Sequence, residues 1–237
     1  MEKVTQKDID WLLNLDKPGT SVTENAKRPM WTRILWMTAL GVCLILLPFF
    51  ILVRTSVFLN VSYQVNGWVA IGAGITTTIL LLLIYLLYAF KRMPNKTRIL
   101  KFGAISISAI VTSFCIYGLI YLSSVNSKTE AVRSYYRNLH PILRVSVATV
   151  SLAARDFLIT DIKRSPEDYL DMGLTPLQNS MHYPQNSGYV YAIDIRTIGK
   201  SEIRNKLLQF TFYALGFNTL RHYGTADHLH ISLPLSH

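Results

Sequence analysis

Three uninterrupted apolar runs constrain this chain more than anything else in it. Residues 34–53, 68–90 and 102–122 contain no Asp, Glu, Lys, Arg or His. Each is roughly 20 residues long, the length a helix needs to cross a hydrocarbon core of about 30 Å. Backbone in that environment must satisfy its own hydrogen bonds, so three transmembrane helices are expected. The first run begins too far along the chain, and is followed by too many others, to be a signal peptide. Ionisable residues inside spans are the usual mark of a transport path. Their absence makes these spans an anchor in expectation.

Loop charge gives an orientation. Lys3, Lys7, Lys17, Lys27, Arg28 and Arg33 lie around the start of the first span, and Lys91, Arg92, Lys96, Arg98 and Lys101 fill the loop between the second and third. Residues 55–67 hold no Lys or Arg. The positive-inside bias then divides the chain into a cytoplasmic segment 1–32, an anchor 33–123 and an extracytoplasmic domain 124–237. Twelve Lys/Arg and five Asp/Glu precede residue 124, against twelve and nine after it. The formal charge of +10 is therefore mostly topogenic, and no basic-aromatic cluster points to nucleic acid. Cys43 and Cys115 both fall inside spans, which excludes them from a metal site or disulfide in the C-terminal domain. Near the N-terminus, Ile9, Leu12, Leu13 and Leu15 stand among Asp8, Asp10 and Asp16. That pattern suits either a weakly ordered tail or a short helix on the membrane or a partner.

The last third reads as a small α+β domain. Tyr136, Leu139, Ile142, Leu143, Val147, Val150 and Leu152 recur at helical spacing over 125–158, with Pro141 marking a helix start. A short strand is expected over 157–162, then a short helix opened by Ser-Pro-Glu-Asp and ended by Gly173. A turn-rich loop follows over 174–188. Strand 189–195, helix 201–215 and strands 217–222 and 228–233 complete the domain. His182, Asp194 and the pair His228 and His230 are the ligand types that a catalytic zinc uses, three protein donors with a fourth position open. Alternate residues of a strand share a face, so His228 and His230 point the same way.

Six pieces occur in a familiar order. They are Leu-His-Pro-Ile-Leu-Arg (139–144), Leu-Ile-Thr-Asp-Ile-Lys-Arg-Ser-Pro-Glu (158–167), Ser-Met-His-Tyr (180–183), Ala-Ile-Asp-Ile (192–195), Ala-Leu-Gly-Phe (214–217) and Asp-His-Leu-His-Ile (227–231). Together they resemble the LAS-type zinc peptidases, the D-alanyl-D-alanine carboxypeptidase group. Its wider superfamily includes murein endopeptidases, phage endolysins and the hedgehog domain. The resemblance covers about 135–234 and none of the membrane half. It implies an antiparallel sheet carrying Zn2+ on His182, Asp194 and His230. It also implies Asp227 as general acid–base, and His228 or Arg164 as the group that steadies the oxyanion.

The chain departs from that family in three places, one of them Leu229, which stands where the family has an aromatic before its last ligand His. Asp194 stands twelve positions after His182, a longer spacing than the family's, and the extra residues fall in the turn-forming Tyr-Pro-Gln-Asn-Ser-Gly. The carboxylate at 227 is Asp where carboxypeptidases carry Glu. The resemblance implies a metallopeptidase of the bacterial inner membrane that acts on peptide stems or cross-links of peptidoglycan. Its hedgehog branch implies instead a zinc-holding binding or sensor module. A third expectation is a structural subunit that meets other membrane proteins, and the lipid bilayer, through its spans.

Overall fold

The computed structural model describes residues 30–235 except Asn95, Arg155, Met172, Leu174, Thr225 and Ala226. The apolar pattern at Ile9 to Leu15 lies outside the described residues. Three long helices come first: α1 (Met30–Tyr63), α2 (Gly67–Ala89) and α3 (Lys96–Ile120). All three are long and apolar enough to cross a membrane. Leu80, Ile84 and Ile110 are among many large apolar side chains left exposed on them, as lipid-facing residues are. α1 continues past the charge-free run, through Arg54, to Tyr63.

The remainder is α4 (Glu130–Ser134), α5 (Pro141–Ala153), β1 (Ile159–Asp161), α6 (Pro166–Asp171), β2 (Ala192–Arg196), α7 (Glu202–Leu215), β3 (Asn218–His222) and β4 (His228–Ser232). The strands form one antiparallel sheet in the order β1-β2-β4-β3. The helical pattern expected over 125–158 is split in two. Pro141 has no N–H and forces His140 into extended geometry (φ −53°, ψ 136°), so α5 can only begin there. The strand expected from residue 189 starts instead at Ala192. Before it, Val190 N–H donates to Asn138 O and Tyr191 N–H donates to Met181 O. Those amides are spent on neighbouring loops and are lost to the ladder.

By packing, Cys43–His237 is one compact unit. Its core runs without a break from Leu52, Val57, Ala70 and Cys115 in the long helices to Ile142, Phe212, Ile193 and Ile231 in the mixed domain. The junction is made by α5, whose first eight residues, Pro141 to Ala148, are all buried. The Tyr136 hydroxyl lies 2.6 Å from the Gly118 carbonyl and 2.9 Å from that of Arg144. The Arg144 guanidinium donates to Leu119 O at 2.7 Å. These bonds occupy carbonyls of the last turn of α3, which have no partner within their own helix. Contact between α3 and α5 is backbone-close: a Cβ on Gly118 would stand 2.8 Å from the Ala148 Cβ.

Gly118→Val is therefore expected to destabilise the full chain by about 1–3 kcal/mol through overpacking. Gly72→Val, at a position with nothing within 4 Å of an added Cβ, should fall within about 0.5 kcal/mol of the parent. Thermal unfolding of the detergent-solubilised protein compares the two.

Candidate metal centre

Strand alternation puts Ala192, Asp194 and Arg196 on one face of β2, and Ile193 and Ile195 on the other. On β4 the same rule separates His228 and His230 from the buried Leu229 and Ile231. Asp194 pairs with His230 across the sheet, so carboxylate and imidazole meet on the same face. His182 arrives from the loop that precedes β2. Its N–H takes the Ser180 hydroxyl at 3.3 Å, its carbonyl accepts Arg164 N–H at 3.2 Å, and Ser180 is held by the Tyr169 hydroxyl at 2.7 Å. The long spacing between His182 and Asp194 thus does not keep them apart.

His182 Nδ1 lies 2.7 Å from Ile162 O. A carbonyl only accepts, so Nδ1 carries the proton and a neutral His182 turns the Nε2 lone pair inward. That lone pair is 3.3 Å from Asp194 Oδ1 and 3.3 Å from His230 Nδ1, while His230 Nδ1 and Asp194 Oδ1 are 2.9 Å apart. Around a tetrahedral zinc with bonds of about 2.0–2.1 Å, neighbouring donors stand about 3.3 Å apart. The three atoms already have nearly that spacing, and they form the one group of this kind among the described residues. One proton on His230 Nδ1 would still leave the His182 lone pair facing an anion. A cation between the three removes that repulsion.

Asp194 and His182 are both almost wholly buried. Burial alone would raise the Asp194 pKa, but the hydrogen bond from His230 and the Arg164 charge act against it, and the carboxyl is held well below its ordinary range. Arg164 donates through Nη2 to Asp194 Oδ2 and through Nε to Asp161 Oδ2, the latter at 2.5 Å. It therefore takes one oxygen of Asp194 and leaves Oδ1 for the centre, an outer-sphere orienting role. Burial would lower the Arg164 pKa, but the charges of Asp194 and Asp161 raise it above its usual value. Asp161, opposite Asp194 on β1, was not among the residues singled out from sequence.

His228 reaches the rim of the same cluster, its Nε2 3.7 Å from Asp194 Oδ2. His222 stacks on it, with ring centroids 4.6 Å apart. Asp227 is placed differently. Its oxygens accept from Arg221 Nε at 2.6 Å, from Arg221 Nη2 at 2.7 Å and from the Thr197 hydroxyl at 2.7 Å. Arg221 and Thr197 alternate with the site-facing residues of β3 and β2, and Glu202 of α7 lies 3.7 Å from the same guanidinium. The hydrogen bonds from Arg221, chiefly, hold the Asp227 carboxyl down at about 2. The structure brings His182, Asp194, His230, Arg164 and His228 together and ties Asp227 to Arg221 instead. Compared with protein-family models, curated proteins and solved structures, the chain matches none.

Metal-free full-length protein is expected to take up one equivalent of zinc in a titration read by competition with a chromophoric chelator. His182→Ala or His230→Ala should abolish uptake, and Arg164→Ala should weaken it about 10–100-fold, as loss of an outer-sphere partner does. A second expectation concerns Asp227. Its folded pKa lies below that of an ordinary aspartate, 3.8, so the ion pair contributes stability that is fully present above that value and is lost as pH falls toward about 2. Asp227→Asn should cost about 1–3 kcal/mol at pH 7, and its melting temperature should converge on the parent's as the pH is lowered through that window.

Proposed function

We propose that the C-terminal domain is a zinc metallopeptidase that three spans hold at the extracytoplasmic face of a bacterial inner membrane, where it cuts peptide stems or cross-links of peptidoglycan. The observation that carries this reading is the spacing of His182 Nε2, Asp194 Oδ1 and His230 Nδ1. Two imidazoles and one carboxylate are the donor set of a catalytic zinc that keeps an open position. The basic flanks of the spans and the charge-free loop 55–67 support the orientation.

His182, Asp194 and His230 would hold the metal, which when bound supplies a Lewis acid and an acidified water. Arg164 fixes the aspartate with one oxygen turned inward. His228, at the rim of the cluster, is the side chain best placed to meet a substrate carbonyl. Asp227 can move a proton at the centre only after leaving Arg221 and Thr197. A carboxylate held near pKa 2 is a weak base, and its release has to accompany substrate binding. This ion pair favours a second reading: a domain that holds zinc and binds a peptide or another ligand without cutting it.

Because the core continues into the long helices, the test uses the full chain in detergent. Incubation with purified sacculi, with zinc or with chelator, followed by mass spectrometry of released peptides, is expected to give zinc-dependent products. Asp227→Asn should lower their rate by roughly 10²–10⁴ while zinc stays bound. Stoichiometric zinc with no products would leave the binding module as the function.

A further inference from the structure

The last helix, α7, carries apolar stripes on two opposite faces. Leu208, Phe212 and Leu215 are buried in the core. On the far side Ile203, Leu207, Phe210 and Tyr213 follow one another at spacings of three and four residues, which makes them neighbours along one face. They are 73%, 60%, 66% and 69% exposed. Leu170 and Leu177 are about as exposed but stand alone, which is ordinary for a protein surface. A row of four large side chains along a whole helix is not ordinary, and marks a surface made to be covered.

The position of the helix says what covers it. α7 ends at Gly216, whose φ of 101° is left-handed. There it meets α1: a Cβ at Gly216 would run into the Arg54 guanidinium and stand 2.9 Å from Val57 Cγ1. Arg54 is the first charge after the apolar run 34–53, so in a bilayer it lies where hydrocarbon gives way to headgroups. One end of α7 is thereby at membrane level. Its fourteen residues make a rod about 21 Å long. Upright, that rod would hold Ile203 far out in water. Lying flat, it puts the whole stripe at one depth. A stripe that is apolar from the first turn to the last suits the flat arrangement.

The borders of the stripe agree. By helical spacing Lys206 and Tyr213 edge it on one side, and Arg204 and Thr211 on the other. Helices that lie in the headgroup layer have this make-up, with long basic side chains that reach phosphates while their stems stay in the apolar layer. The one acid on α7, Glu202, is 3.7 Å from the Arg221 guanidinium. We propose that the outer face of α7 lies in the interfacial layer of the bilayer, with Ile203, Leu207 and Phe210 below the headgroups and Lys206 among them. This rests on the long helices being spans and is independent of the chemistry at the metal centre. The buried stripe joins the core that Ile193 and Ile231 enter from the sheet, whose other face carries Asp194 and His230. A domain resting on α7 therefore turns the metal centre away from the lipid.

The test uses the full chain in nanodiscs of phosphatidylethanolamine and phosphatidylglycerol. Two photoactivatable phospholipids are compared, one with its diazirine near the glycerol and one with it at the tail end. Adducts are mapped by peptide mass spectrometry. The deep probe is expected to label Leu80 and Ile110 of the spans. The shallow probe should label Leu207 and Phe210 and leave Leu170 and Leu177 unmarked. Leu207→Glu combined with Phe210→Glu should lower the α7 adducts about tenfold or more, the loss of two buried apolar side chains, while span adducts and circular dichroism stay as they are. Span adducts with none on α7 overturn the proposal, as does labelling of Leu170 equal to that of α7. Amine cross-links between Lys206 of two chains, in place of lipid adducts, overturn it in favour of a dimer. Absence of adducts on Leu80 and Ile110 removes the membrane reading itself, and this proposal with it.

Discussion

Helix α5 is the constraint on which the rest of this structure depends. Thirteen residues long, it is too short to span a membrane and too apolar to lie in water. It resolves that conflict by packing on α2 and α3 and by contributing to the core under the sheet. Buried polar groups make the arrangement specific: the Tyr136 hydroxyl and the Arg144 guanidinium meet carbonyls at the end of α3, and apolar side chains of equal size would leave those carbonyls unpaired. Position in the sheet follows from this, because His140, just before α5, is tied to Val190, just before β2. The strand that carries Asp194 is thereby indexed to the spans.

At the centre itself the governing term is the charge of Asp194. A carboxylate with 2% of its side chain exposed is costly unless several donors or cations surround it. Arg164 supplies one neighbour, fixed in turn by Asp161, and His230 Nδ1, 2.9 Å away, supplies another. The same electrostatics explains why Asp227 behaves differently. It has its own guanidinium, in Arg221, and adds no second negative charge to the cluster.

The parts of this molecule that could be seen in its sequence are those set by local pattern. Apolar length alone places three long helices, and alternation in His-Leu-His-Ile-Ser places both histidines of β4 on one face. Pro141 marks the start of α5 as its chemistry requires. What stayed hidden depends on partners distant in the chain. The backbone of Tyr189, Val190 and Tyr191 has strand composition, yet the amides of Val190 and Tyr191 donate to the loops before α5 and β2, so the strand begins later. Asp161 and Arg221 are ordinary charges in the sequence and become decisive only once the sheet sets them beside Asp194 and Asp227. Asp227 lies three residues before His230, an odd step along an extended chain, and alternation therefore turns it toward Leu229 and away from the ligands.

The bond from Arg144 to Leu119 O, with Gly118 seated against Ala148, has a mechanical consequence. A catalytic or binding head on a flexible tether samples a sphere of targets and is limited by its linker. Here the last turn of α3 is held by the head itself, and no run of free linker separates them. With the long helices set across a bilayer, such a head would keep a fixed stand-off from it, and distance from the membrane would become a selection rule for whatever it engages.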